Sequence, residues 1–110
     1  MDESIQIQFR VIPTEQFQKW LDGFKKKDFE VVRRVAARQL AMTQGHFGHT
    51  RSLGEGVSES KIDFGPGYRV YYTIRKNIVV ILLVGGSKKT QQNDIDLAKR
   101  LAKDLPEDLI

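Results

Sequence analysis

Residues 78–84, Ile-Val-Val-Ile-Leu-Leu-Val, form an unbroken aliphatic run bounded by Asn77 and Gly85. The run is strand-sized and far short of the ~18–20 apolar residues that a bilayer span needs. Successive side chains of a strand point to opposite faces, so a strand that is apolar at every position has to be covered on both sides. This predicts a central strand, and the rest of the chain has to supply its cover. The chain has no cysteine, which excludes disulfides, thiolate zinc sites and a thiol nucleophile, so an apolar core must hold the fold together. With 110 residues there is room for one domain, 1–110, and a content of 40% hydrophobic and 29% charged residues excludes disordered and fibrous classes. The opening Met1-Asp2-Glu3-Ser4 is acidic and lacks the basic and apolar regions of a secretory signal, which predicts a cytoplasmic protein with no membrane contact.

Local patterns place the other elements. Ile5, Ile7, Phe9 and Val11 alternate with polar residues and predict a first strand. After Pro13, Thr14 caps a helix whose apolar stripe is Phe17, Trp20, Leu21 and Phe24. Asp28 opens a second helix with Val32, Val35, Ala36 and Leu40 on one side and Gly45 as its stop, completing a helix hairpin. Residues 44–56 are polar, aperiodic and rich in Gly and His, and read as a mobile loop. Two strands follow, over 57–64 and 68–75. A three-residue Gly65-Pro66-Gly67 loop would set Phe64 against Tyr68, Asp63 against Arg69 and Lys61 against Tyr71. Lys76-Asn77 makes a two-residue hairpin into the aliphatic strand, setting Arg69 against Val84, and Gly85-Gly86 turn the chain out of it beside Arg69. Thr90 caps a last helix with Ile95, Ala98, Leu101, Ala102 and Leu105 as its stripe. The predicted order is β-α-α-β-β-β-α, an α+β fold with a mostly antiparallel sheet, an N-terminal helix hairpin and a C-terminal helix.

Net charge is +4, from 18 Lys and Arg against 14 Asp and Glu, and residues 19–51 hold eight basic residues against three acidic ones. That stretch suits either a polyanion or a solvated helix hairpin. The predicted register gathers Glu59, Lys61, Arg69 and Tyr71 on one strand face with Lys88 nearby, a crowding of cations that suits a phosphate. An ordinary surface with Asp63 paired to Arg69 and Glu59 to Lys61 fits the same spacing. His46 and His49 lie in the loop without flanking acids and give no fixed metal geometry. The glycine-rich segments 54–56 and 65–67 lack a P-loop ending and read as turns, and no Ser-His-Asp arrangement is apparent.

Three segments carry a resemblance: Leu53-Gly54-Glu55-Gly56-Val57-Ser58-Glu59, the turn Phe64-Gly65-Pro66-Gly67-Tyr68-Arg69-Val70-Tyr71-Tyr72, and Gly85-Gly86-Ser87-Lys88-Lys89-Thr90-Gln91-Gln92-Asn93-Asp94-Ile95. They resemble the "addiction module killer" toxins of the RelE/ParE superfamily, near the HigB and phage Gp49 proteins. The resemblance implies the toxin of a type II toxin-antitoxin pair, an endoribonuclease acting on mRNA in the ribosome and neutralised by a small helix-turn-helix antitoxin. It implies a reaction without metal or cofactor, in which a ribose 2′-hydroxyl attacks the adjacent phosphorus to leave a cyclic phosphate and a 5′-hydroxyl. Arg69 is implied on the scissile phosphate, Lys61 as base with Glu59 as a rival, and Lys88 as proton donor or phosphate contact. Arg51, Lys89 and Tyr71 are implied in RNA binding, Tyr71 as a stacking platform. Ser60-Lys61 stands where these toxins usually read Leu-Arg, Ser87 where they read Asp, and the last helix lacks their tyrosine. The superfamily also holds gyrase poisons that lack the basic cluster, and a non-catalytic RNA- or ribosome-binding relative would keep the same cations.

Overall fold

The structure, a computed structural model, describes residues 8–107. Ile5 and Ile7 of the first alternating segment lie outside them. The strands are β1 (Arg10–Pro13), β2 (His49–Gly54), β3 (Val57–Ile62), β4 (Tyr68–Arg75) and β5 (Val79–Ser87). The helices are α1 (Glu15–Asp22), α2 (Phe29–Thr43) and α3 (Gln91–Asp104). One five-stranded sheet has the order β1-β5-β4-β3-β2, with β1 parallel to β5 and all other neighbours antiparallel. The α+β class and mostly antiparallel sheet are as the sequence predicts.

β5 is the doubly covered strand. Val80 and Leu82 pack with Phe17 and Leu21 of α1 and Val31, Val35 and Met42 of α2. Val79, Ile81 and Leu83 face the opposite way, against Ala98 and Ala102 of α3. Each of the Val, Leu, Ile, Phe and Met side chains contributes about 1.5–3 kcal/mol by leaving water. Thr14 fastens α1 to the sheet, since its hydroxyl accepts from the Phe17 amide at 3.1 Å and donates to the Leu83 carbonyl at 3.0 Å. The apolar stripe of α2 is rotated from the predicted one: Val31, Val35 and Met42 are buried while Leu40 is 65% exposed. Among the described residues, no helix is long and apolar enough to cross a membrane.

Four features of the predicted topology are corrected. Residues 49–54 are not loop but an edge strand, so the order is β-α-α-β-β-β-β-α. An edge strand is held by its backbone ladder to β3 and here is wet on nearly every residue, so it carries no apolar alternation. The β3–β4 register is shifted by two residues, with Ile62 opposite Tyr68 and Lys61 opposite Arg69. The cause is Phe64, which leaves the ladder to pack its ring under the Arg34 guanidinium at 4.7 Å, so that residues 64–67 close a β-turn through Gly65 and Gly67 at positive φ. The Lys76-Asn77 turn is present, with φ of 53° and 61°, but Val79 faces Arg75 and a bulge between Tyr71 and Tyr72 places Arg69 opposite Gly86, not Val84. Lastly, Gly85 and Gly86 continue β5 instead of turning out of it.

What those two glycines provide is close approach. A Cβ on Gly85 would lie 2.2 Å from the Trp20 ring, and one on Gly86 would overlap the Asp94 carboxylate. Gly85→Ala is therefore expected to destabilise the fold by about 1–3 kcal/mol through overpacking. Trp20 is the single tryptophan of the chain, so urea unfolding followed by its fluorescence checks this directly.

Candidate active site

α3 covers its face of the sheet only in part. Beyond Val84 that face carries His49 and Arg51 from β2, Glu59 and Lys61 from β3, and Arg69 from β4, because residues two apart on a strand share a side. Two hollows open there. One, of about 190 Å³, lies among His49, Arg51, Glu59 and Gln91, and the other, of about 390 Å³, among Asp63, the 65–67 turn and Lys88. Lys61 and Arg69 line both.

Glu59 organises the cluster. Its carboxylate is buried and accepts from Arg51 Nε at 2.9 Å and Gln91 Nε2 at 3.0 Å, while Arg69 Nε stands 3.7 Å away. Burial alone would raise its pKa, but the hydrogen bonds from Arg51 and Gln91 and the charges of Arg51 and Arg69 outweigh it and hold the group below the usual value. The Arg51 guanidinium is correspondingly pushed up by its hydrogen bond to Glu59. Arg69 is 7% exposed; its Nη1 donates to the Gly67 carbonyl at 3.2 Å and its Nε, 3.7 Å from Glu59, has no hydrogen-bond partner among the described residues. The site thus offers a cation fixed in direction, with an N–H left unsatisfied beside it.

Of the residues singled out from sequence, Glu59, Lys61, Arg69, Lys88 and Arg51 are brought together. The pairings are exchanged relative to the ordinary-surface alternative: Asp63 lies 3.4 Å from Lys61, and Glu59 faces Arg69 and Arg51. Tyr71 is corrected. Its ring is fully buried in the core under α3 and presents no face for stacking, and its hydroxyl is enclosed without a hydrogen bond. Burial first, and then the Glu59 charge, raise its pKa. Lys89 is exposed and lines neither hollow. His49, weighed from sequence only as a loop residue without fixed metal geometry, is placed in the site because β2 is a strand, and Gln91, which the sequence did not single out, is placed by the start of α3. The basic stretch 19–51 is largely answered by local acids, with Lys19 on Glu15, Lys25 on Asp22, and Arg33 and Arg34 on Glu30. Arg38 serves the other face, donating to the Lys61 carbonyl at 2.9 Å and to Ser60.

Removing the central carboxylate leaves Arg69 buried without its counter-charge. Glu59→Gln is expected to cost about 1–3 kcal/mol of stability near neutral pH. Because the folded-state pKa is depressed, this stabilisation is present above the unfolded carboxylate value of about 4.3 and is lost as pH falls through the folded value. Urea unfolding of both proteins across a pH series should therefore show the gap closing on the acid side.

Residues 15–103 match the family described as phage derived protein Gp49-like (DUF891). A protein of Haemophilus influenzae, itself uncharacterised, is 41% identical over 92 residues, which is 84% of this chain and 91% of that protein. Among solved structures, a double mutant of the Escherichia coli toxin RelE in its free state superposes with a TM-score of 0.66 and 16% identity, over 86% of this chain and 99% of that one. At that identity the likeness speaks for the fold alone. With the greater part of its length inside the family match, the chain belongs to the phage-derived Gp49-like family and has the fold of RelE.

Proposed function

We propose that this protein is the toxin of a type II toxin-antitoxin pair and that it cleaves mRNA held in the ribosome, in the cytoplasm, with a helix-turn-helix antitoxin as its neutralising partner. The observation that carries the reading is the convergence of Arg51, Lys61, Arg69 and Lys88 from separate elements onto the open sheet face, answered only by Glu59 and Asp63. Such a face meets a phosphate at several oxygens at once.

In this reading Arg69 receives the charge that builds on the phosphoryl oxygens, since it is already fixed and needs no reorganisation in the transition state. Lys61 takes the proton of the ribose 2′-hydroxyl as that oxygen attacks phosphorus. The bond to the 5′-oxygen breaks, Lys88 donates a proton to it, and a 2′,3′-cyclic phosphate and a 5′-hydroxyl result. Lys61 accepts one proton and Lys88 donates one, so the step balances without a metal or cofactor. Glu59 acts as the anchor of Arg69 and Arg51 in preference to the base, because its oxygens are already engaged and its pKa is depressed. Arg51, 59% exposed at its side chain, reaches the flanking backbone.

The test is primer extension on a reporter mRNA in a bacterial translation extract, with and without ribosomes. Wild-type protein is expected to produce ribosome-dependent cuts. Arg69→Lys keeps the charge but loses the fork, and is expected to slow them by about 10²–10³-fold. Lys88→Ala, at an exposed position where stability is insensitive, should slow them by about 10²-fold or more with an unchanged melting curve. Intact mRNA in the presence of folded protein overturns the nuclease and directs attention to gyrase supercoiling or to RNA binding without cleavage.

A further inference from the structure

A third hollow adjoins the cationic face and differs from it in character. It is a cleft of about 450 Å³ between α1 and the start of α3, walled by Trp20, Phe24 and Tyr68 on one side and by Ser87, Thr90 and Asp94 on the other. Its floor is Gly85 and Gly86, whose missing side chains let Trp20 and Asp94 approach the strand. The cleft is continuous with the cationic face: Pro66 lines both it and the hollow of Lys61 and Arg69, and Ser87 of the cleft precedes Lys88 of that hollow.

The aromatic wall is partly buried and packed against the core. Trp20 meets Phe24 edge-on at 5.3 Å between ring centroids, Phe24 meets Tyr68 edge-on at 5.6 Å, and Trp20 lies 6.3 Å from Tyr68. The rings stand at 59–81° to one another, so a flat ligand stacks on the face of one of them while the other two hold that ring in place. Opposite them, Asp94 is partly buried, accepts a hydrogen bond from the Thr90 hydroxyl at one oxygen, and has no Lys or Arg paired with it among the described residues. Burial raises its pKa, with the Thr90 bond acting the other way. A carboxylate placed there without a cation has lone pairs to offer to N–H donors.

We infer that this cleft is a nucleobase pocket that reads the base flanking the scissile phosphate, and that Asp94 makes guanine its preferred occupant. An aromatic wall accepts the π-face of any base, so stacking gives affinity and the polar side gives choice. An ionised carboxylate only accepts. Guanine presents N1–H and N2–H side by side, matching the two carboxylate oxygens, whereas adenine and cytosine set an acceptor beside their single amino group and uracil sets its one N–H between two carbonyls. The inference rests on RNA as the substrate, and its test is made without cleavage.

Trp20 is the single tryptophan, so its fluorescence reports on the cleft directly. Guanosine monophosphate titrated into wild-type protein is expected to quench it saturably, at a concentration roughly tenfold or more below that needed for the adenosine, cytidine or uridine monophosphates. Asp94→Asn, which keeps the shape and replaces one acceptor with a donor, is expected to abolish the preference for guanine and move it towards adenine, with circular dichroism confirming the fold. Equal quenching by all four nucleotides, a guanine preference unchanged in Asp94→Asn, or no saturable quenching at all overturns the inference, the last result leaving the cleft to a protein partner. Base-selective quenching by a protein that leaves mRNA intact keeps the pocket and sinks the nuclease, and cutting without quenching does the reverse.

Discussion

The fold depends on β5 being covered on both faces. α1 and α2 close one side completely, and the eight residues from Val79 to Gly86 are all buried. α3 reaches the other side only as far as Val84, because the helix starts at Gln91 after a short turn and runs back along the sheet. Beyond the start of α3 the apolar alternation of β3 and β4 ends: Val57, Tyr71 and Thr73 lie under the helix, while on the same face Glu59 and Arg69 are buried at its edge and Lys61 is only partly covered. The change from core to site therefore happens along single strands, with the pleat unchanged. A rigid, fully paired sheet thus presents the cations, which is a more exact support than a loop.

Glu59 gives that face its definition. Four basic groups brought together without an acid would repel one another and splay into water. One buried carboxylate holds two of them, Arg51 and Arg69, and through Gln91 ties the start of α3 to the same point. A buried ion pair of this kind is weak evidence for net stability, since desolvation offsets much of the attraction. Its effect lies in direction: it prevents the Arg69 guanidinium from folding away, and the Gly67 carbonyl completes the restraint. Lys61 and Lys88 have no comparable restraint and remain adjustable.

Much of this was legible in the sequence, and what was not has physical causes. The aliphatic run, the Thr14 cap and the α1 stripe are local patterns and read correctly, whereas the Lys76-Asn77 turn was legible as a turn but not in its register. β2 was illegible because an edge strand needs only backbone partners, and its residues His49, Thr50, Arg51 and Ser52 could as well belong to a loop. The β3–β4 register turned on whether Phe64 stays in the ladder, which is decided by Arg34 on a helix distant in sequence. Tyr71 was read as a surface ring because alternation places it beside Arg69. The parity was right, but which positions on a face lie under α3 follows from the bulge where Tyr71 and Tyr72 pair with β5 and from the position of Gln91, neither of which has a local signature.

The burial of Arg69 and its proposed contact with phosphate are compatible once the two hollows are considered together. A side chain 9% exposed is nearly dry, yet it lines both openings, so its remaining surface is turned towards the place where an anion enters. In such a setting its charge is less screened than in water. Glu59 does not cancel this attraction, because Arg51 and Lys61 leave the smaller hollow with more positive charge than negative. The proposed nuclease reading uses this arrangement for the transition state: one pre-aligned cation at the centre, fixed by a counter-charge behind it, and adjustable cations at the rim.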